Sequence, residues 1–154
     1  MSKREEINAA LKDAMKNKDM EKVAAVRLII SAMKDKDINS RTDGAGSGGL
    51  DDSGILSLLQ SMIKQRVESS KIYRENNRPE LADKEDKEIA IIQSFLPKQL
   101  SDDEVAKIIE EIIAKTGAAG IKDMGKVMGE LKAGYAGQLD MGKAGGVIKQ
   151  KLSA

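Results

Sequence analysis

The two side chains that most often move protons or hold catalytic metals near neutral pH are absent: the chain has no histidine and no cysteine. That removes the commonest general acid–base, the thiolate nucleophile and the usual zinc ligands together. A serine nucleophile would need an activating base. Lysine is the only plausible one here, and no spacing singles out a Ser–Lys pair. The carboxylates Asp102, Asp103 and Glu104 have two readings, a magnesium site or the acidic first turn of a helix. Ser101-Asp102-Asp103-Glu104 has the form of a capping box, which accounts for all of them without a metal. Asp83, Glu85, Asp86 and Glu88 read as a solvated helix face. No catalytic residue, metal site or cofactor is expected from these groups.

Two glycine-containing stretches remain. Gly44-Ala45-Gly46-Ser47-Gly48-Gly49 lacks the Gly-Lys-Ser/Thr ending of a phosphate-binding loop, and no strand pattern precedes it. It reads as a flexible connection between helices, spanning about residues 40–50. Asp123-Met124-Gly125-Lys126-Val127-Met128-Gly129-Glu130-Leu131 is less ordinary. Two glycines four apart share one face of a helix and cost it about 1 kcal/mol each against alanine. Either a neighbouring helix packs closely on that face, or a ligand such as an RNA backbone approaches it, with Lys122, Lys126 and Lys132 supplying charge. Gly145-Gly146, flanked by Lys143, Lys149 and Lys151, raises the same two readings.

The formal net charge is only +1, against a broadly basic nucleic-acid binder, yet the charge is uneven. Residues 101–111 carry −4 and residues 112–154 carry +4. The apolar runs are far shorter than the roughly 20 residues of a membrane span, so no membrane association is expected. Nothing resembling a signal peptide follows Met1, and the expected compartment is the cytoplasm.

These residues are carried on a chain whose apolar positions recur at helical spacing. Ile7, Leu11, Ala14 and Met15 predict a helix over about 3–17. Asp19 is placed to cap a second, with Val23, Val26, Ile30 and Met33 inward, that fades near Asn39. Ile55, Leu58, Leu59, Met62, Ile63 and Val67 predict a third, started by Asp51, Asp52 or Ser53 and reaching Glu75. Pro79 opens a fourth, which Pro97 closes. Ser101 caps a fifth, residues 122–132 form a sixth, and Asp140 caps a seventh. The expectation is an all-α chain without strands, divided into four helices over 1–98 and a three-helix subdomain over 99–154.

The ordered set Tyr73-Arg74-Glu75-Asn76-Asn77-Arg78-Pro79-Glu80-Leu81-Ala82, Phe95-Leu96-Pro97-Lys98-Gln99-Leu100-Ser101, Asp123-Met124-Gly125-Lys126-Val127-Met128-Gly129 and Leu139-Asp140-Met141-Gly142-Lys143 resembles the YqeY family across nearly the whole chain. The resemblance implies two helical subdomains, the second similar to the tail of the GatB subunit of Asp/Glu-tRNA amidotransferase. That tail helps hold the tRNA body, while the chemistry occurs in other domains. The family is associated with carbon–nitrogen ligases that use glutamine as amido-N-donor. The function expected is a non-catalytic tRNA-binding accessory protein, with Lys122, Lys126, Lys132, Lys143, Lys149, Gly125 and Gly129 as the nucleic-acid contacts. The alternative is an adaptor that docks on an amidotransferase or synthetase without touching RNA. A third reading is an amidotransferase component whose chemistry needs a partner's active site.

Overall fold

The computed structural model describes residues 1–42 and 49–153 of the chain. Seven α-helices account for most of them, and no strand occurs among the described residues: α1 (Lys3–Lys16), α2 (Met20–Thr42), α3 (Asp52–Glu75), α4 (Pro79–Gln93), α5 (Asp102–Thr116), α6 (Met124–Tyr135) and α7 (Met141–Ser153). A 3₁₀ turn, Ile121–Asp123, leads directly into α6. The connection expected over about residues 40–50 starts later than expected, because α2 continues to Thr42; residues 43–48 lie outside the described residues. The chain forms two compact units, Met1–Leu96 and Pro97–Ala154.

The helix starts follow local chemistry. Ser2 and Ser101 each build a capping box, accepting from the amides of Glu5 and Glu104 at 3.1 Å while those glutamates return to the serine amides. Each box satisfies amides that have no partner inside the helix. Asp19, Asp51 and Asp140 cap α2, α3 and α7 through their side-chain oxygens. Pro79 sits in the first turn of α4, where its missing N–H costs nothing.

The core of the first unit gathers Ile7, Val26, Ile29, Met33, Ile55, Leu59, Met62, Ile92 and Phe95. Ile29 is fully buried although the helical pattern had placed Ile30 inward; Ile30 is only half-buried at its edge. Met15 and Val67, expected inward, are 51% and 53% exposed. Each stands on the edge of its stripe, where the facing helices have already closed the core.

A polar seam joins α3 to α4 and corrects the reading of Asp83–Glu88 as a solvated face. Arg66 pairs with Glu88 at 2.9 Å, buried Ser70 donates to Asp86 at 2.7 Å, and Arg74 bridges Asp83 and Asp86 at 3.0 and 2.6 Å. The Ser70 hydrogen bond first, and Arg74 second, hold the Asp86 carboxyl below its ordinary range.

In the second unit, Val105, Ile109 and Ile112 of α5 meet Val127 and Leu131 of α6, Leu139, and Ala144 and Ile148 of α7. Two ion pairs brace the three helices: Lys115–Glu130 at 3.5 Å and Lys151–Glu110 at 2.7 Å. The segment before α5 is tied to the α6–α7 loop. Leu100 donates its amide to the Gln138 carbonyl at 2.8 Å, and the Gln99 side-chain amide reaches the carbonyls of Pro97 and Gly137.

Candidate functional site

At 3.6 residues per turn, Gly125, Lys126, Gly129, Lys132 and Ala133 fall within about 120° of arc on α6. All five are exposed, and so is Lys122 in the turn before them. Val127 and Leu131 point the opposite way, into the core. A Cβ added at Gly125 or at Gly129 would meet nothing within 4 Å. Close helix packing therefore does not explain these glycines. The face is open, and the backbone between its lysines is accessible.

α7 repeats the arrangement. Gly142, Lys143, Gly146, Lys149 and Gln150 share an exposed arc of about 120° opposite Ala144 and Ile148. Gly146 likewise has open space where a Cβ would stand. Gly145 differs: an added Cβ there would lie 3.6 Å from the Met124 Cε, an ordinary contact, so this position faces the start of α6 without requiring glycine.

The cations divide into engaged and free. Lys115 and Lys151 are held by Glu130 and Glu110. Among the described residues, Lys122, Lys126, Lys132, Lys143 and Lys149 have no side-chain ion-pair partner. Two nearby carboxylates bond backbone amides rather than these lysines and keep their charge. Asp123 accepts from the Ala119 amide at 3.0 Å, and Asp140 accepts from the amides of Gly142 and Lys143 at 2.8 and 3.3 Å. The Lys151 hydrogen bond lowers the Glu110 carboxyl from its ordinary range.

In the acidic first turn of α5, Glu104 is consumed by capping. Glu104 turns back to the Ser101 amide, and these bonds to Ser101 hold its carboxyl below the ordinary range. Among the described residues no three Asp or Glu side chains converge as a metal site would require. Of Lys64, Arg66, Lys71, Arg74 and Arg78 on and after α3, the next candidates for an anion-binding face, Arg66 and Arg74 are committed to the α3–α4 seam. The Asp86 and Asp83 hydrogen bonds keep the Arg74 guanidinium charged beyond its ordinary range.

Sequence reasoning missed Arg4 and Asp37. Their bidentate pair, with both contacts at 3.0 Å, receives the chain as it re-enters at Leu50. Asp37 also accepts the Leu50 amide at 2.8 Å, and Arg4 donates to the Leu50 carbonyl at 3.2 Å. Partners 33 residues apart leave no local pattern. The capping box at Ser2 was missed as well, although Ser-x-x-Glu is a local signal that carries it.

The model of a family described as Yqey-like protein matches residues 4–152. The chain is also similar to yeast proteins named altered inheritance of mitochondria protein 41, mitochondrial. Identity is 31% to that of Vanderwaltozyma polyspora, covering 74% of this chain and 62% of the relative. It is 33% to that of Candida glabrata, covering 56% and 45%, and 29% to that of Saccharomyces cerevisiae strain YJM789, covering 79% and 65%. In each case the match spans less than two thirds of the relative's length. No described helix is long and apolar enough to cross a membrane.

Proposed function

The chain belongs to the Yqey-like protein family, and from that premise we propose that it is a non-catalytic accessory protein that holds tRNA through the lysine faces of α6 and α7. The observation that carries this reading is the α6 face, where exposed lysines without ion-pair partners stand beside glycines opening onto empty space. Phosphate contacts supply most sequence-independent nucleic-acid affinity, and a backbone without Cβ atoms lets a phosphodiester chain lie close. The resemblance of this unit to the GatB tail supports the same ligand. On this reading the carbon–nitrogen ligase chemistry associated with the family belongs to a partner amidotransferase. The chain supplies no nucleophile, acid–base or cofactor of its own.

The cytoplasm is the proposal for this chain, whereas the yeast relatives are named as mitochondrial. Cell fractionation with an antibody to the chain tests it.

One observation favours the adaptor reading. Met20, Leu28 and Ile38 on the outer side of α2 are 67%, 45% and 58% exposed, apolar side chains that a docking partner would cover. Electrophoretic titration with bulk tRNA at two salt concentrations separates the two. Retardation at low salt that weakens at higher salt supports tRNA binding. Absence of any retardation at low salt moves the function to protein docking through α2.

A further inference from the structure

Beside the lysine face of α7 runs a cleft of about 610 Å³, between that helix and the start of α5. Its floor is apolar, made by Leu100, Val105, Leu139 and Val147. Its rim is polar: Gln99 and Asp102 on the α5 side, and Asp140, Lys143 and Gln150 on the α7 side, with Gly146 between the last two and Asp140 Oδ1 accepting from the amides of Gly142 and Lys143. Gly146 leaves the α7 wall flat, since nothing stands within 4 Å of where its Cβ would be. Lys143 is exposed and has no ion-pair partner among the described residues. Asp102 is exposed, and neither of its carboxylate oxygens accepts a hydrogen bond from the described residues.

We propose that this cleft takes one unpaired nucleotide of a bound RNA, preferably one whose base carries an exocyclic amino group, with its phosphate on Lys143. This rests on the tRNA-binding reading and adds to it a place where the strand leaves the duplex. The shape argument is that an apolar floor beside a side-chain-free helix wall accepts the face of a planar ring. No aromatic side chain lines the cleft, so the base lies against aliphatic groups and backbone rather than in an aromatic stack. The charge argument gives the orientation. Lys143 attracts the phosphate from the exposed arc of α7, beside Asp140, whose Oδ1 accepts from the Gly142 and Lys143 amides; Asp102, on the α5 side, repels phosphate but accepts from an amino group, as carboxylates do from cytosine N4. Cytosine, adenine and guanine offer such a donor, and uracil does not. The cleft adjoins the exposed arc of Lys143, Gly146 and Lys149, so an RNA held on that arc has its backbone within reach of the cleft.

The test uses the full chain and two RNAs of equal length and charge: a blunt duplex and a duplex carrying a short unpaired cytidine overhang. Fluorescence anisotropy gives the affinities. Wild type is expected to bind the overhang RNA about five- to tenfold more tightly, and a uridine overhang to lose most of that advantage. Gly146→Leu fills the cleft from an open, exposed helical position, which should leave folding intact by circular dichroism; because Gly146 also lies on the α7 arc, its effect is read as the ratio of overhang to duplex binding and not from duplex binding alone. It should abolish the overhang preference, as should Asp102→Asn for the cytidine-over-uridine difference. Equal binding of both RNAs by wild type, or a preference that survives Gly146→Leu, overturns the cleft assignment and leaves the tRNA-binding reading standing. Failure of wild type to bind either RNA at low salt overturns both.

Discussion

Glycine in the interior of an exposed helix weakens it, and α6 carries two such residues on one open face. Alanine at Gly125 or Gly129 meets no neighbouring atom, so each substitution is expected to stabilise the fold by about 0.5–1 kcal/mol, read as a higher urea midpoint. If the face receives an RNA backbone, the same alanines should weaken tRNA binding while they raise stability. Opposite movement of the two measurements is what a packing role cannot produce. Gly49 behaves in the reverse way. Its φ of +73° lies in the left-handed region, and a Cβ there would stand 2.5 Å from Asp37 Oδ1, inside the Arg4–Asp37 clasp. Gly49→Ala is therefore expected to cost about 1–2 kcal/mol from backbone strain alone, measured by chemical denaturation. Exchanging residues 44–48 for another Gly/Ser run of equal length should leave the melting temperature nearly unchanged, because closure entropy depends on the length of a connection, and only slowly.

At the scale of the elements, helix ends and seams decide the response to acid. Asp86, Glu104 and Glu110 all have folded-state carboxyls below their ordinary values, through Ser70 and Arg74, Ser101, and Lys151 respectively. Their ionised forms favour the fold. That contribution is fully present above the unfolded values near about 4 and is lost as pH falls through the lower folded ones. The urea midpoint should hence drop between pH 5 and pH 3, and an Asp86→Asn, Glu104→Gln variant should show a smaller drop. Ser101→Ala removes the α5 cap and is expected to cost about 1 kcal/mol at pH 7. Such caps are local, which is why Ser101, Asp19, Asp51 and Asp140 were readable as helix starts from sequence. All seven helices were likewise legible, because Ile, Leu, Val and Met recur at 3.6-residue spacing. What periodicity leaves open is which edge of a stripe the neighbours cover. Ile29 lies deep while Met15 and Val67 are half in water, because the partners of α1, α2 and α3 come from elsewhere in the chain. The α3–α4 seam was missed for the same reason: Arg66 and Glu88 are 22 residues apart, and each alone looks like a solvated charge.

Across the whole molecule the near-neutral total hides a division of charge, and the fold sharpens it. The uneven distribution of the C-terminal third was visible in the sequence. Which cations are already spent was not, because that depends on Lys151 reaching Glu110 and Lys115 reaching Glu130 across helix boundaries. After those pairs are set aside, Lys122, Lys126, Lys132, Lys143 and Lys149 remain on two open faces, and they define the last prediction. If all five meet phosphates, the logarithm of the tRNA association constant should fall against the logarithm of salt concentration with a slope of about −4 to −5, each contact contributing about 0.9. Because few base edges are read, competing tRNAs should differ little, and affinity at physiological salt should be on the order of micromolar or weaker. Reversing Lys126 and Lys143 to glutamate removes one phosphate contact from each helix and adds repulsion at both places. The slope should then become shallower by about 2, and binding at low salt should weaken by at least tenfold. Both positions are exposed and without ion-pair partners, so the circular dichroism spectrum and melting temperature should stay close to those of wild type. A Lys115→Glu, Lys151→Glu variant is the matched control of equal charge change. It should reduce stability by unpairing Glu130 and Glu110, yet leave the slope nearer that of wild type. Should the two variants lose affinity equally, binding answers to total charge and not to these faces, and the assignment of α6 and α7 as the RNA surface fails.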